Sequence, residues 1–403
     1  MVASCFARQR AILPGSATKG FKRQQYAAIQ APVDAVNRAI RGTGASRRTR
    51  RVERGDRTPA HFIGIPIFAG APGASAPPSG EIAMMTEAGA WREIYEGGSV
   101  AAEARIFRTL LDEMLPAGAV EAPPWLIHAK TVAGIANAEM VVDRDLPGDL
   151  AVAHFAPGAR LPLMIRFSNA SPVSLADYVP DLRGVAMRLA LPSGGTHDLL
   201  LASHPVSPAR DARQFLEIAA TAIPNREARL ARLAARLGEA EGRRIAAILK
   251  GHFKLCSSLA VRHYWSEGAF LWGAAPVRFE LHPMAFEPAP GGESRAGNDS
   301  LRHELAARLA LGDLCFRFAV QRFVDERSTP IEDASVDWSP VLSPPIEIAT
   351  IMLPRQQLLG EEGRKALRLA GEMRFDPWNA PADFRPLGSL NRLRRLAYAE
   401  RRR

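Results

Sequence analysis

The hydrophobic pattern of the chain begins with helical spacing. From Val100 to Leu115, apolar residues recur every three or four positions among charged ones. This spacing predicts an amphipathic helix. Pro116, Gly118 and the pair Pro123–Pro124 follow directly and predict its end.

Between His128 and Leu201 the pattern changes to short segments of β-forming residues, separated by turns rich in Gly, Pro and Asp. Strands this close, with no helix between them, imply antiparallel pairing in a meander or a barrel. The predicted strands are Met140–Val142, Leu163–Phe167, Val185–Leu191 and Asp198–Leu201.

The second half of the chain combines both patterns. It predicts helices at Asp211–Thr221, Arg226–Lys250 (one helix or a pair), Leu301–Leu311 and at the C-terminal end. It predicts strands at Val277–Leu281, Cys315–Val324 and Ile346–Leu353. The expected fold class is therefore α+β, built around an antiparallel sheet.

The basic charge of the chain is concentrated before Met84. Residues 1–83 hold thirteen Lys and Arg against four Asp and Glu, so they carry most of the net charge of +10. They lack periodic apolar residues, and we expect a disordered basic extension over 1–83 and a folded domain over 84–403. A basic patch that touches nucleic acid or anionic lipid is the alternative for the extension, and translation starting at Met84 or Met85 is a further hypothesis. We expect no nucleic-acid binding by the folded domain.

Cysteine usage and hydropathy indicate a cytoplasmic protein. Cys5, Cys256 and Cys315 are odd in number and far apart, which favours a reducing compartment without a disulfide framework. No secretory leader is visible, and no apolar run reaches the roughly 18 residues that span a bilayer.

The last predicted helix carries the first candidate chemistry. Tyr398 follows Arg394 by four positions, so on a helix the phenol and the guanidinium share one face. A neighbouring positive charge favours tyrosinate, and tyrosinate is a ligand for ferric iron. The alternative is a basic terminal helix whose tyrosine packs on the core. Phosphate-binding loops, nucleophile elbows, HExxH, CxxC and strand-linked GxGxxG motifs are all missing from the sequence.

Further motifs lie in the strand-rich region: His128-Ala-Lys, Arg166-Phe-Ser, Asp181-Leu-Arg-Gly-Val-Ala, and Pro205 to Arg210-Asp211 followed by Phe215. With the final Arg-x-x-x-Tyr, they resemble the catalase-like haem proteins. That family has VHAKG, RFS, DPRGFA and TP...RD...F segments before a terminal RxxxY, in this order. The match runs from His128 to Tyr398, about two thirds of the chain.

The resemblance implies an antiparallel β-barrel wrapped by helices, with haem b between the barrel and the last helix. Tyr398 would ligate the iron, and Arg394 would hold it as tyrosinate. Phe215 would stack near the haem ring.

On the opposite, distal face, the resemblance implies that His128 moves protons as acid and base and that Ser168 hydrogen-bonds it. Arg166 would pair with a haem propionate, and Asp177 would line the access channel. Each residue also has a structural alternative: a satisfied buried histidine, an ion-pair partner, or ordinary core in the case of Phe215.

The sequence departs from the family at several positions. Ala202 stands where catalases place a distal Asn, so a second side-chain donor is missing. Ser207 and Pro208 replace a Phe pair, and Trp125 replaces an Arg that binds a propionate. A second propionate-binding Arg would lie past the end of the given sequence, which leaves only Arg401, Arg402 or Arg403 to take its place. Ile127, beside His128, is apolar as in catalases, whereas coral allene oxide synthases have a hydroxylated residue there.

The expected function is decomposition of hydrogen peroxide or small organic hydroperoxides, with weak catalase activity and a larger peroxidase share. Two alternatives stay open. One is a fatty-acid hydroperoxide isomerase or dehydratase, and the other is a non-catalytic haem carrier or degenerate scaffold. A homo-oligomer is compatible with the resemblance.

Overall fold

The computed structural model describes residues 91–114, 128–221, 226–285 and 297–400, without the side chains of 226 and 397–400. These residues belong to one compact unit, Thr86–Arg403. The basic extension predicted over 1–83 lies outside the described residues and stays a prediction.

An antiparallel sheet forms the centre of the described chain, with strands in the order β5-β4-β3-β2-β1-β9-β8-β7-β6. A further pairing of β5 with β7 closes eight of these strands into a barrel, and β6 extends β7 as a hairpin. The α+β barrel predicted from the sequence is therefore confirmed. The strands are β1 Thr131–Val142, β2 Arg160–Asn169, β3 Arg183–Ala190, β4 Thr196–Ala202, β5 Tyr264–Trp265, β6 Phe270–Trp272, β7 Ala275–Pro283, β8 Leu314–Arg322 and β9 Ile346–Leu353.

The barrel interior is filled by alternate residues of each strand. On β2, Leu161, Leu163, Ile165 and Phe167 are buried in the main core, while Met164 belongs to a separate cluster outside the barrel. Because side chains alternate between the two faces of a strand, Arg166 and Ser168 share the outer face with Met164. The outer face of β2 is therefore available for a site.

The barrel closes through its shortest element, β5. Trp265 pairs with Ala202 on one side and with Glu280 on the other, and Tyr264 pairs with Leu281. Tyr264 is fully buried, and its hydroxyl donates to the Leu259 carbonyl oxygen at 3.0 Å. Burial raises its pKa well above that of an ordinary tyrosine.

Helices surround the barrel. The stretch predicted over Arg226–Lys250 is a pair of helices, which separate at Gly238 with a φ of 86°. None of the helices in the described ranges combines the length and the apolar character needed to cross a bilayer. The helices are α1 Val100–Met114, α2 Ala212–Ala220, α3 Arg226–Leu237, α4 Glu239–His252, α5 Ser300–Leu311, α6 Glu361–Glu372 and α7 Ser389–Glu400, with 3-10 turns at Glu96–Gly98 and Ala382–Phe384.

Helix α6, which the sequence pattern did not predict, packs directly on the outer face of β1. Its buried residues are Gly363, Ala366 and Ala370, whose small side chains give little hydrophobic signal. A Cβ at Gly134 of β1 would lie 2.4 Å from the Ala366 carbonyl oxygen. Glycine at this position therefore permits the close approach of helix and strand.

Helix α7 is fixed by the buried guanidinium of Arg392. Arg392 donates to both carboxylate oxygens of Glu103, to Glu93 Oε1 at 2.7 Å and to Glu332 Oε1 at 3.2 Å. Burial alone would lower the pKa of Arg392, but the hydrogen bonds and charges of Glu103 and Glu332 raise it. This network ties α7 to α1 and to the loop before β9.

Replacing Arg392 with Met should lower the free energy of unfolding by about 3–5 kcal/mol, because Glu103 would be left buried without its cation and Glu93 would keep only Arg385. Arg395, exposed on the same helix and stacked over Trp378, is the matched control. Arg395→Met should cost no more than about 1 kcal/mol. Urea unfolding measures both, and equal losses would contradict the role given to Arg392.

Candidate active site

His128 occupies a strained backbone position just before β1. Its φ of 70° lies in the left-handed region, which is uncommon for a residue other than glycine. Its amide donates to the Ala170 carbonyl oxygen at 3.0 Å, and its own carbonyl oxygen accepts from Arg166 Nη2. Strained residues of this kind persist where the surrounding structure fixes them, and they cluster at functional sites.

The imidazole of His128 lies against Gly184 of β3. Its Nδ1 is 2.9 Å from Ser168 Oγ. A Cβ at Gly184 would come within 2.6 Å of His128 Cε1, 2.7 Å of Nδ1 and 2.9 Å of Ser168 Oγ. Gly184 lies inside a strand, where glycine is unfavourable, and the space left by its missing side chain is occupied by the histidine ring.

The strand register continues this arrangement across the barrel wall. Thr131 on β1 pairs with Ser168, Ser168 with Gly184, Gly184 with Ala202, and Ala202 with Trp265. Directly opposed residues present their side chains to the same face. Ala202 is therefore in line with Ser168 on the outer face, and its methyl group offers no hydrogen-bond donor.

A second cross-strand row contains Gly134, Arg166, Ala186 and Leu200. Arg166 is half-buried, and its Nε donates to Thr131 Oγ1 at 2.9 Å. Apart from Arg166, the residues of this row are small or apolar. Ala186 and Leu200 pack in an apolar cluster with residues of α6 and of the segment that follows it. The row beside His128 is therefore apolar and partly covered.

Helix α7 contains the predicted Arg394 and Tyr398. Arg394 is half-buried, and its Nη1 donates to Asn391 Oδ1 at 3.2 Å. Tyr398 lies on the same helix one turn later, and its side chain is outside the described part of the structure.

No sequence pattern indicated Glu267, which lines one small cavity together with Arg394 and Asn391. Its φ is 58°, and its Oε1 is buried without a hydrogen-bond partner among the described residues. Burial raises the pKa of Glu267 to about 7, against the opposing charges of Arg394 and Arg278.

Phe215 lies on α2, in the contact between helices rather than on the barrel wall. It packs against a cluster that contains Phe107 of α1, Leu216 of α2 and Leu393 of α7. The structure thus brings His128, Ser168 and Arg166 together, while Phe215 and Arg394 lie in separate contacts around α7.

The segment before α7 ties that helix to the barrel wall. Arg188 Nη2 and Nε bind both oxygens of Asp198 at 2.6 and 2.7 Å, and Asp198 Oδ2 also accepts from the Asp376 amide at 2.9 Å. Trp378 Nε1 then donates to the Asn391 carbonyl oxygen of α7 at 2.8 Å. These bonds run continuously from β3 and β4 to the helix that carries Tyr398.

Other residues singled out from the sequence have structural contacts. Asp177 is buried, accepts from Lys130 Nζ at 2.9 Å and accepts from the Leu301 amide at the start of α5. Arg183 is buried and donates to the carbonyl oxygens of Asp177 and Val179, both at 3.0 Å. Trp125, Ile127 and Arg401–Arg403 lie outside the described residues.

Ser207 is buried as well. Its hydroxyl accepts from the Ala209 amide at 3.1 Å, so it supports a local turn.

Gly184→Ala should lower the free energy of unfolding by about 1–3 kcal/mol, because the new methyl group overlaps the His128 ring and the Ser168 hydroxyl. Gly148, exposed with no atom within 4 Å of an added Cβ, is the matched control. Gly148→Ala should change stability by no more than about 0.5 kcal/mol. Urea denaturation compares the two, and a neutral Gly184→Ala would contradict the packing described for His128.

No family model matches the chain. Over 182 residues it is 32% identical to a catalase-related peroxidase of Mycolicibacterium paratuberculosis, an alignment that covers 43% of this chain and 58% of the relative. The alignment thus spans less than two thirds of the relative's own length.

Solved structures share the fold. A bacterial catalase superposes with a TM-score of 0.52 at 18% identity over 73% of this chain and 60% of that one. A fungal catalase gives 0.52 at 18% identity, with coverages of 72% and 61%. Catalase A from Saccharomyces cerevisiae gives 0.51 at 15% identity, with coverages of 73% and 63%. The chain therefore has the catalase fold, and part of its sequence is similar to a catalase-related peroxidase.

Proposed function

We propose that the chain binds haem b against the outer wall of β2, β3 and β4 and uses it to decompose hydrogen peroxide or small organic hydroperoxides. The observation that carries the proposal is the His128 imidazole, hydrogen-bonded to Ser168 and packed on Gly184, which pairs with Ala202 in the same cross-strand row. Small residues in that row suit contact with the face of a flat macrocycle.

The residues present fit haem. Gly184 and Ala202 add no bulky or charged side chain to the row that contains Ser168. Arg166 provides a cation at the edge of the wall, suited to a propionate. Tyr398 is the ligand that we assign to the iron, and Arg394, one turn earlier on α7, favours its tyrosinate form.

When bound, haem supplies the two electrons that break the peroxide O–O bond. In our proposal His128 Nε2 accepts the proton of the attacking oxygen and returns it to the departing oxygen, which leaves as water or an alcohol. Ser168 Oγ, 2.9 Å from Nδ1, fixes the orientation of the ring for both transfers. A reducing substrate, or a second peroxide, would be the source of the two electrons that haem supplies.

The balance between those two reductants depends on Ala202. Catalase activity requires a second hydrogen peroxide to be held beside His128, and Ala202 contributes no hydrogen bond for this purpose. We therefore propose that the peroxidase share exceeds the catalase share, as expected for a relative of a catalase-related peroxidase.

Tyr398→Phe should abolish the tyrosinate-type visible spectrum of the haem-loaded full chain and lower haem retention, because the iron loses its anionic ligand.

His128→Ala should keep the pigment and lower kcat/KM for peroxide by about 10²–10⁴-fold, the usual contribution of a general acid–base. Tyr178→Phe, at an exposed position, is the control and should change neither property.

Visible spectra and stopped-flow kinetics separate these outcomes. A Tyr398→Phe chain with unchanged pigment and turnover would overturn the ligand assignment. A wild-type chain that stays colourless with ample haem would support the scaffold alternative instead.

Ala202→Asn should raise the oxygen released per peroxide consumed at least several-fold, because it adds an amide donor on the face shared with Ser168. Ala202→Leu adds a side chain of similar volume without a donor and serves as the control. It should leave the oxygen yield at or below that of the wild type. An oxygen electrode, read with and without a reducing substrate, measures the ratio. A wild-type yield of half the peroxide consumed, without reductant, would contradict the proposed peroxidase share.

A further inference from the structure

Two histidines and a glutamate form a compact group on the outer face of the barrel, where β5 meets β7. Glu280 Oε2 lies 2.7 Å from His263 Nε2 and 3.0 Å from His282 Nε2. The three potential ligand atoms all lie within 4.8 Å of one another. The motifs that identify the family do not include these residues.

We propose that His263, Glu280 and His282 bind one divalent transition-metal ion of the zinc class. Imidazole nitrogen and carboxylate oxygen are the ligands that zinc takes at sites with three protein ligands and an open fourth position. Zinc bonds of about 2.0–2.2 Å place tetrahedral ligand atoms roughly 3.3–3.6 Å apart, so the present hydrogen bonds need to open by less than about 1 Å.

The surroundings hold the two histidines in orientations that suit a metal ligand. The His263 ring stacks on Trp265 with the ring centroids 3.9 Å apart. His282 Nδ1 lies 3.4 Å from Glu347 Oε1, which directs its Nε2 towards Glu280. Carboxylates that bind the second nitrogen of a ligating histidine fix the tautomer and strengthen the metal bond.

The burial of the group gives it both a fixed centre and an entry path. The Glu280 side chain is 5% exposed, whereas those of His263 and His282 are 33% and 26% exposed. An ion can therefore enter from solvent between the rings and meet a buried anion. Water would complete its coordination on the open side.

The position of the group suggests what the ion does. Strand β5 has two residues, and one pair joins it to β4 and two pairs join it to β7. A metal bonded to His263, directly before β5, and to Glu280 and His282 on β7 links the two strands across this short contact. The bound ion stabilises the closed barrel, because it binds the folded chain and its ligands are dispersed in the unfolded one.

Zinc binding by the full haem-loaded chain tests the proposal. Metals are first removed with EDTA, and binding is then measured by isothermal titration with ZnCl2. Wild type should bind one Zn²⁺ per chain. His263→Ala, His282→Ala and Glu280→Gln should each weaken binding at least tenfold. His303, an exposed histidine of α5, is the matched control, and His303→Ala should bind as wild type does.

Thermal unfolding provides a second measurement. Zn²⁺ should raise the Tm of wild type and of His303→Ala, and it should leave that of His282→Ala unchanged. Zinc X-ray absorption of the wild type should show two imidazole ligands at about 2.0–2.1 Å.

Circular dichroism establishes whether each variant is folded. If an alanine variant is not folded, Glu280→Gln still tests the site, because it preserves the side-chain volume. Absence of zinc binding in the wild type would overturn the proposal. So would equal affinity after replacement of both histidines, because the ion would then lie elsewhere.

Discussion

The position of the C-terminal helix depends on one buried guanidinium. Arg392 is surrounded by Glu93, Glu103 and Glu332, which come from three separate parts of the chain. The pKa of Glu93 is lowered even though burial alone would raise it, because Arg385 and Arg392 stabilise its anionic form. This charge balance fixes the position of α7 and of the helical turns that follow Arg392. Every role assigned to Arg394 and Tyr398 therefore depends on it.

The opposite side of the candidate site is fixed by strand geometry rather than by charge. A left-handed backbone at His128, the hydroxyl of Ser168 and the missing side chain of Gly184 together determine where the imidazole lies. Neighbouring strands hold each of these residues, so small side-chain adjustments cannot move the ring far. Such preorganisation suits the two proton transfers that we propose for His128.

The sequence predicted much of this fold because barrel strands alternate between core and outer face, and Leu163–Phe167 or Val277–Leu281 display that alternation. The sequence pattern did not predict α6, whose buried face is made of Gly363, Ala366 and Ala370. It also did not predict β5, whose two residues are defined only by pairings with distant strands. The motifs located His128, Ser168 and Arg166 in one group. Glu267 was not predicted, because its burial arises from packing between separate segments, which local sequence patterns do not show.

The barrel wall also determines which side chains share the space beside His128. Backbone pairings hold Ser168, Gly184, Ala202 and Trp265 in a single row, so a side chain changed at Ala202 faces the same space as Ser168. Ala202 removes a hydrogen-bond donor from that row while the positions of His128 and Ser168 stay fixed by their own contacts. In the function that we propose, the fold would determine where the proton is transferred, and one side chain on β4 would determine which second substrate can be held there.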